Sequence, residues 1–258
     1  MKYIPSVNIE NGIADDFQYI VTPNTQVVLG NIVSSFNEGF HSFTIVGTYG
    51  TGKSSFIAAL ERDLTKGSNV LVKERDILTL NKFEFINIVG DYASLCSLLA
   101  KKLGLQEFAT TEEVLWALND KYNALKKSGK FLFIVVDEFG KILEHAAANN
   151  PEQELYFLQK LAEFVNFQLR NIILLTTLHQ NFGSYSYKLD ETQRNEWTKV
   201  KGRFKEIVFV EPVEQILQLT ADLLGKRVAS PSNNAKANIR SLYKLAERYK
   251  VISEGLPL

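Results

Sequence analysis

Short apolar runs recur along this chain, separated by segments whose apolar residues return every three or four positions. Phe43-Thr44-Ile45-Val46, Glu84-Phe85-Ile86-Asn87-Ile88-Val89, Phe131-Leu132-Phe133-Ile134-Val135-Val136 and Ile172-Ile173-Leu174-Leu175-Thr176-Thr177 have the length and β-branched content of buried strands. Weaker apolar stretches at residues 69–73 and 207–210 predict two more short strands. Helical periodicity predicts helices over residues 26–36, 56–64, 93–103 and 154–169, with a further helix starting at Thr111-Glu112-Glu113 and burying Val114, Leu115 and Leu118. Gly104 is the expected stop for the helix before it. Strands alternating with helices imply a parallel α/β sheet covered on both faces. From Pro212 onward the pattern is helical only, over residues 213–224 and 235–249 with a polar break at 230–234. A boundary near Glu211 follows, giving a core of residues 1–211 with a loose lead-in and a small all-helical segment, 212–258.

The segment after the first apolar run changes the picture from architecture to chemistry. Gly47, Thr48, Tyr49, Gly50, Thr51, Gly52, Lys53 and Ser54 spell G-x-x-x-x-G-K-S between a strand and a helix. That spacing predicts a loop whose small residues let backbone N–H groups wrap a β-phosphate at a helix N-terminus. Lys53 is expected to reach the β- and γ-phosphates, Ser54 to ligate Mg2+, and Ser55 to complete the nucleotide-binding set. The fold expected is therefore a P-loop NTPase, with ATP and Mg2+ as ligands.

The third strand ends in Asp137-Glu138. Carboxylates at such a strand end face the nucleotide crevice of an α/β sheet. Asp137 is the expected second metal-holding residue, and Glu138 the residue that polarises the attacking water; in-line attack on a γ-phosphate requires both. His179 is the next candidate base.

Composition narrows the class without naming a partner. The 258 residues are 45% hydrophobic, enough for a substantial core, and carry 29 basic and 29 acidic side chains. Bulk charge thus argues neither for nor against nucleic acid. One cysteine, Cys96, excludes an intrachain disulfide and suggests a buried thiol in a reducing compartment. With no signal peptide or apolar run of membrane-spanning length, a cytoplasmic location is expected.

These residues resemble the AAA+ ATPases, especially the origin-recognition ATPases and the signal-transduction NTPases with a similar core, over roughly residues 17–249. The resemblance implies Mg-dependent ATP hydrolysis coupled to oligomer assembly or to remodelling of a protein or DNA complex, in prokaryotic genome defence or mobile-element biology. It implies a γ-phosphate sensor at Thr176 or Thr177, the second being the catalytic candidate, with His179, Gln180 and Asn181 following. Arg203 matches the arginine supplied to a neighbouring subunit's nucleotide, or else ties its segment to the sheet by a salt bridge. Arg240 matches the second sensor in a helical lid, or is a surface residue. Tyr19, with Val21, Thr22 and Pro23, corresponds loosely to an adenine-contacting lead-in. The partners implied are like subunits or related ATPases; with no winged-helix or nuclease module after the lid, either a separate effector supplies the output or the chain is the ATPase portion of something larger. Lys236, Arg240, Lys244 and Arg248 recur every four residues and would form a basic stripe for DNA or a solvated face. The aromatic stretch 181–201 is a protein contact, a lid over the crevice, or a helix packed by Trp197. A nucleotide-gated scaffold with little hydrolysis is the alternative function, and a metabolite kinase a third.

Overall fold

The computed structural model describes residues 7–11, 18–72, 82–106, 108–167, 170–225 and 233–249. The strands are β1 (Ser42–Val46), β2 (Lys82–Val89), β3 (Lys130–Asp137), β4 (Ile172–Leu178) and β5 (Lys205–Val208). They form one sheet in the order β2-β3-β4-β1-β5, and every pairing is parallel. Around them lie α1 (Pro23–Asn37), α2 (Lys53–Lys66), α3 (Leu95–Lys102), α4 (Thr111–Lys127), α5 (Phe139–Ala148), α6 (Pro151–Val165) and α7 (Glu191–Lys201). The chain divides into two compact units, 1–210 and 211–258, the second containing α8 (Val213–Gly225) and α9 (Asn233–Arg248).

Why the strands read as continuous apolar runs is visible in the two cores. Alternate residues of β3 point to opposite faces, so Leu132, Ile134 and Val136 join one cluster with α3 to α6, while Phe133 and Val135 join the other with α1 and α2. Ile172 and Leu174 on β4 follow the first face, Ile173 and Leu175 the second. The middle strands are thereby buried on both sides. Their shared C-terminal edge carries the glycine-rich loop after β1, the acidic pair at the end of β3 and the polar turn after β4.

Several expected elements differ in extent or kind. The stretch 69–72 is not a strand; its Val70, Leu71 and Val72 N–H groups and the Ser68 hydroxyl all donate to the buried Asp63 carboxylate. A single anion on α2 satisfies the donors that a sheet ladder would have taken. Lys73, the rest of that expectation, lies outside the described residues. The helix anticipated at 154–169 starts earlier, at Pro151, and ends at Val165, the pre-set φ of proline suiting the first helical turn. The last expected strand also shifts, from 207–210 to Lys205–Val208. Helix α5 has no counterpart in the periodicity reading.

The stretch 181–201 adopts the third of its expected forms. A 3-10 turn (Phe182–Ser186) leads into α7, which a reciprocal Asp190 and Gln193 capping box starts. Trp197 is 2% exposed, its ring 5.3 Å from that of Phe182 and its indole N–H donating to the Phe182 carbonyl at 3.2 Å. Phe182 also packs on Phe139 and Phe204. The insertion is thus built into the core beneath the residue that follows Glu138.

Candidate nucleotide site

Gly52, at φ 94°, is the N-cap of α2 and makes no side-chain cap, and Gly50 is also left-handed at φ 75°. Glycine alone takes these conformations freely, and they turn the loop so that the first-turn N–H groups of α2 face outward. At the loop's other end a Cβ on Gly47 would overlap the Phe209 carbonyl oxygen. Phe209 N–H in turn donates to the Val46 carbonyl at 2.7 Å, so the loop is seated against the segment following β5.

Lys53 is 6% exposed, and its ammonium donates to the carbonyls of Gly47 at 2.5 Å and Thr48 at 2.9 Å. Burial lowers its pKa, while the facing carboxylates of Asp137 and Glu138 act in the opposite sense. Asp137 is 5% exposed; its Oδ1 accepts the Thr177 hydroxyl at 2.6 Å and the Glu138 N–H at 3.1 Å. Thr177 Oγ1 also accepts the Glu138 N–H, at 3.0 Å. The hydroxyl of Thr177 therefore braces the acidic turn from the neighbouring strand.

Glu138 sits at φ 55°, a left-handed conformation that costs a non-glycine residue about 1–2 kcal/mol and is offset here by its two backbone hydrogen bonds. The turn is packed from β2 as well: Gly90 N–H donates to the Asp137 carbonyl at 2.6 Å, and a Cβ on Gly90 would overlap the Glu138 carbonyl. The Glu138 side chain forms an ion pair with Lys141 at 2.5 Å. That partner was missed by the sequence reading, although a lysine three residues into the helix after the acidic pair is a legible signal.

The cavity enclosed by these groups measures about 370 Å³ and is lined by Tyr49, Gly50, Gly52, Lys53, Ser54, Ser55, Asp137, Glu138 and His179, among others. A second cavity of about 460 Å³ adjoins it, sharing Tyr49, Glu138 and His179 and adding Lys141, Glu144, Gln180 and Tyr185. The rings of Tyr49 and His179 stack at 3.4 Å between centroids, 23° from parallel.

The donor set suits a hard divalent cation. Ser54 and Asp137 present oxygen atoms in one cavity, and among the described residues the hydrogen bonds to the Asp137 carboxylate fall on Oδ1 only. No cluster of three or more His, Cys, Asp or Glu is present among the described residues. Two protein oxygens, with water and phosphate completing the shell, is how Mg2+ is ordinarily held.

Other expected residues lie apart from this cavity's lining. Thr176 is fully buried, bonded to Thr44 and to the Phe43 carbonyl. Arg203 pairs with Glu163 of α6 at 2.7 Å and donates to the Lys199 carbonyl. Tyr19 packs against the α1 core cluster and Thr22 caps α1. Arg240, Lys244 and Arg248 are exposed on α9 in the second unit; the Lys236 side chain lies outside the described residues. Cys96 is half-buried and its thiol is pushed up to about 11 by burial. Among the described residues, no helix is long and apolar enough to cross a membrane.

No protein-family model matches the chain, and a search of curated proteins finds no match. The fold has solved relatives. The ORC2 protein of Aeropyrum pernix, in ADPNP-ADP complexes, superposes with a TM-score of 0.53 at 15% identity, covering 83% of this chain and 55% of that one. The ORC1 protein of the same organism, in complex with DNA, gives a TM-score of 0.50 at 15% identity, covering 87% and 54%. The chain spans about half the length of these structures. The likeness is one of fold: the architecture is that of a P-loop NTPase core followed by a mostly helical C-terminal region.

Proposed function

We propose that this chain binds MgATP in the crevice at the C-terminal edge of β1, β3 and β4 and hydrolyses it, coupling the reaction to assembly or to remodelling of a protein or DNA complex. The observation that carries this is the convergence of Lys53, Asp137 and Glu138 on one cavity beneath an uncapped helix N-terminus. In this reading the outward N–H groups of α2 and the Lys53 ammonium bind the phosphates. Ser54 and Asp137 would hold Mg2+, which supplies charge neutralisation for the developing phosphoryl charge. Thr177 fixes the Asp137 carboxylate, and Glu138 orients the attacking water.

The test begins with binding. Lys53→Ala removes the charge nearest the phosphates, and calorimetry should show MgATP affinity falling at least about tenfold in a folded variant. Unchanged affinity would overturn the assignment.

A nucleotide-gated scaffold with slow turnover is the second reading, favoured by one contact: the Glu138 carboxylate is engaged by Lys141. Oligomers formed with like chains, with Arg203 acting on a neighbour's nucleotide, extend the first reading. Exposed Arg240, Lys244 and Arg248, four residues apart on α9, offer phosphate contacts to DNA.

A further inference from the structure

Of the exposed aromatic rings, Phe40, Tyr156, Phe167 and Tyr187 each hold a cation of the same chain, the charge 5.3–5.7 Å from the ring centroid. Trp116 of α4, 74% exposed, holds none among the described residues, although tryptophan attracts a cation more strongly than any other aromatic side chain. Phe108, 93% exposed, stands just ahead of the same helix, whose N-cap is Thr110. A single exposed apolar residue is ordinary, but large rings presented together are what protein contact sites are built from.

The surroundings of Trp116 decide what would be drawn to it. Glu112 and Asp120 lie one turn to either side on α4, and all three side chains are exposed. The Tyr156 hydroxyl of α6 donates to Glu112 Oε1 at 3.3 Å, which sets a second stripe, Glu152, Tyr156 and Lys160, alongside the first. Lys160 is already committed: its ammonium lies over the Tyr156 ring and pairs with Glu163 at 3.2 Å. None of Glu112, Asp120 and Glu152 enters an ion pair among the described residues. Two aromatic rings thus share a face with carboxylates that lack a cation.

We propose that this face of α4 and α6 docks a basic segment of a separate protein, an arginine of which stacks on Trp116 and pairs with Glu112 and Asp120. Charge complementarity selects this occupant. A guanidinium lies flat on an aromatic ring while its N–H groups reach outward to carboxylates, and here the carboxylates stand one turn before and one turn after the ring. A nucleic acid could also stack a base on Trp116, but its phosphates would meet these acids, where strand-binding surfaces carry positive charge. Exposed charges are screened by salt, so the contact is salt-sensitive and suited to reversible assembly. Neither α4 nor α6 lines the two cavities at the strand ends, so this contact stands apart from the nucleotide reading.

The experiment titrates the full chain with a peptide alternating arginine and serine, with its lysine and glutamate counterparts, and with oligothymidylate, by calorimetry and tryptophan emission. The chain has two tryptophans and Trp197 is buried, so a shift in emission on binding reports Trp116. The arginine peptide should shift the emission and bind more tightly than the lysine peptide, and the glutamate peptide should not bind. Trp116→Ala should weaken the arginine peptide about fivefold or more; Glu112→Gln combined with Asp120→Asn should weaken it and flatten its salt dependence. Tyr187→Ala, at an exposed ring that already holds Lys188, should leave binding unchanged. Should the alanine variant not fold, Trp116→Phe carries the comparison, with a smaller loss in the same direction. Equal affinity for the arginine and glutamate peptides, no binding of either, or unchanged affinity in the Trp116 variant would overturn the assignment. Tighter binding of oligothymidylate at Trp116 would overturn it in favour of nucleic acid. Self-association of the wild type that Trp116→Ala abolishes, read by sedimentation, would overturn it in favour of a second copy of this chain.

Discussion

Glu138 shows how much a single residue depends on its surroundings. Its left-handed backbone is sustained by Thr177, Asp137 and the close approach of Gly90, so the carboxylate starts from a defined point at the cavity wall. Glu138→Gln keeps the shape and removes the base; it should preserve ATP affinity and lower turnover at least about tenfold, about 1.4 kcal/mol of transition-state stabilisation. Steady-state phosphate release checks this, with Lys141→Ala as the contrast. If the ion pair restrains the carboxylate, removing Lys141 raises turnover; a fall would mean that Lys141 itself takes part in catalysis.

At the scale of elements, the insertion ahead of β5 is the informative piece. Its 3-10 turn and α7 place Tyr185 against Gly140 and Trp197 beneath Phe182, so the start of α5, and with it the acidic turn, rests on this insert. Trp197→Ala should cost about 3–5 kcal/mol through the cavity it leaves, seen as a lowered denaturation midpoint. A loss below about 1 kcal/mol would show the insert to be dispensable to the core. The helix was legible as one of three forms for residues 181–201, through Trp197 alone; the Asp190 and Gln193 capping box that starts it is seen only in the structure. Which form it takes was not, since a buried tryptophan and an exposed one have the same letter until a partner is placed above it.

On the scale of the whole molecule, the open matter is whether one chain is enough. Arg203 is tied to Glu163 within its own chain, on an ion pair whose side chains are about one-third exposed and can exchange partners. In the proposed trans role, Arg203→Ala keeps ATP binding and suppresses hydrolysis, and mixing it with Lys53→Ala protein restores part of the activity. Phosphate release from the mixture, set against each variant alone, reads the outcome. No recovery from proteins shown to associate would assign Arg203 to the α6 contact alone.

The parallel sheet, its four principal strands and the glycine-rich loop were readable in the chain because each rests on local rules: double burial makes a continuous apolar run, and a tight loop of this kind demands glycine and lysine at set spacing. The sequence also determined that Asp137 and Glu138 end a buried strand. Only the tertiary structure decided that Thr177 serves Asp137, that Lys141 engages Glu138, that Tyr49 lies on His179, and that Asp63 gathers the N–H groups of an apparent strand. Three of these four contacts join different strands, loops or helices, and their partners depend on register and on the direction of each side chain. Neither is carried by periodicity, which says which face a residue occupies but not what it meets there.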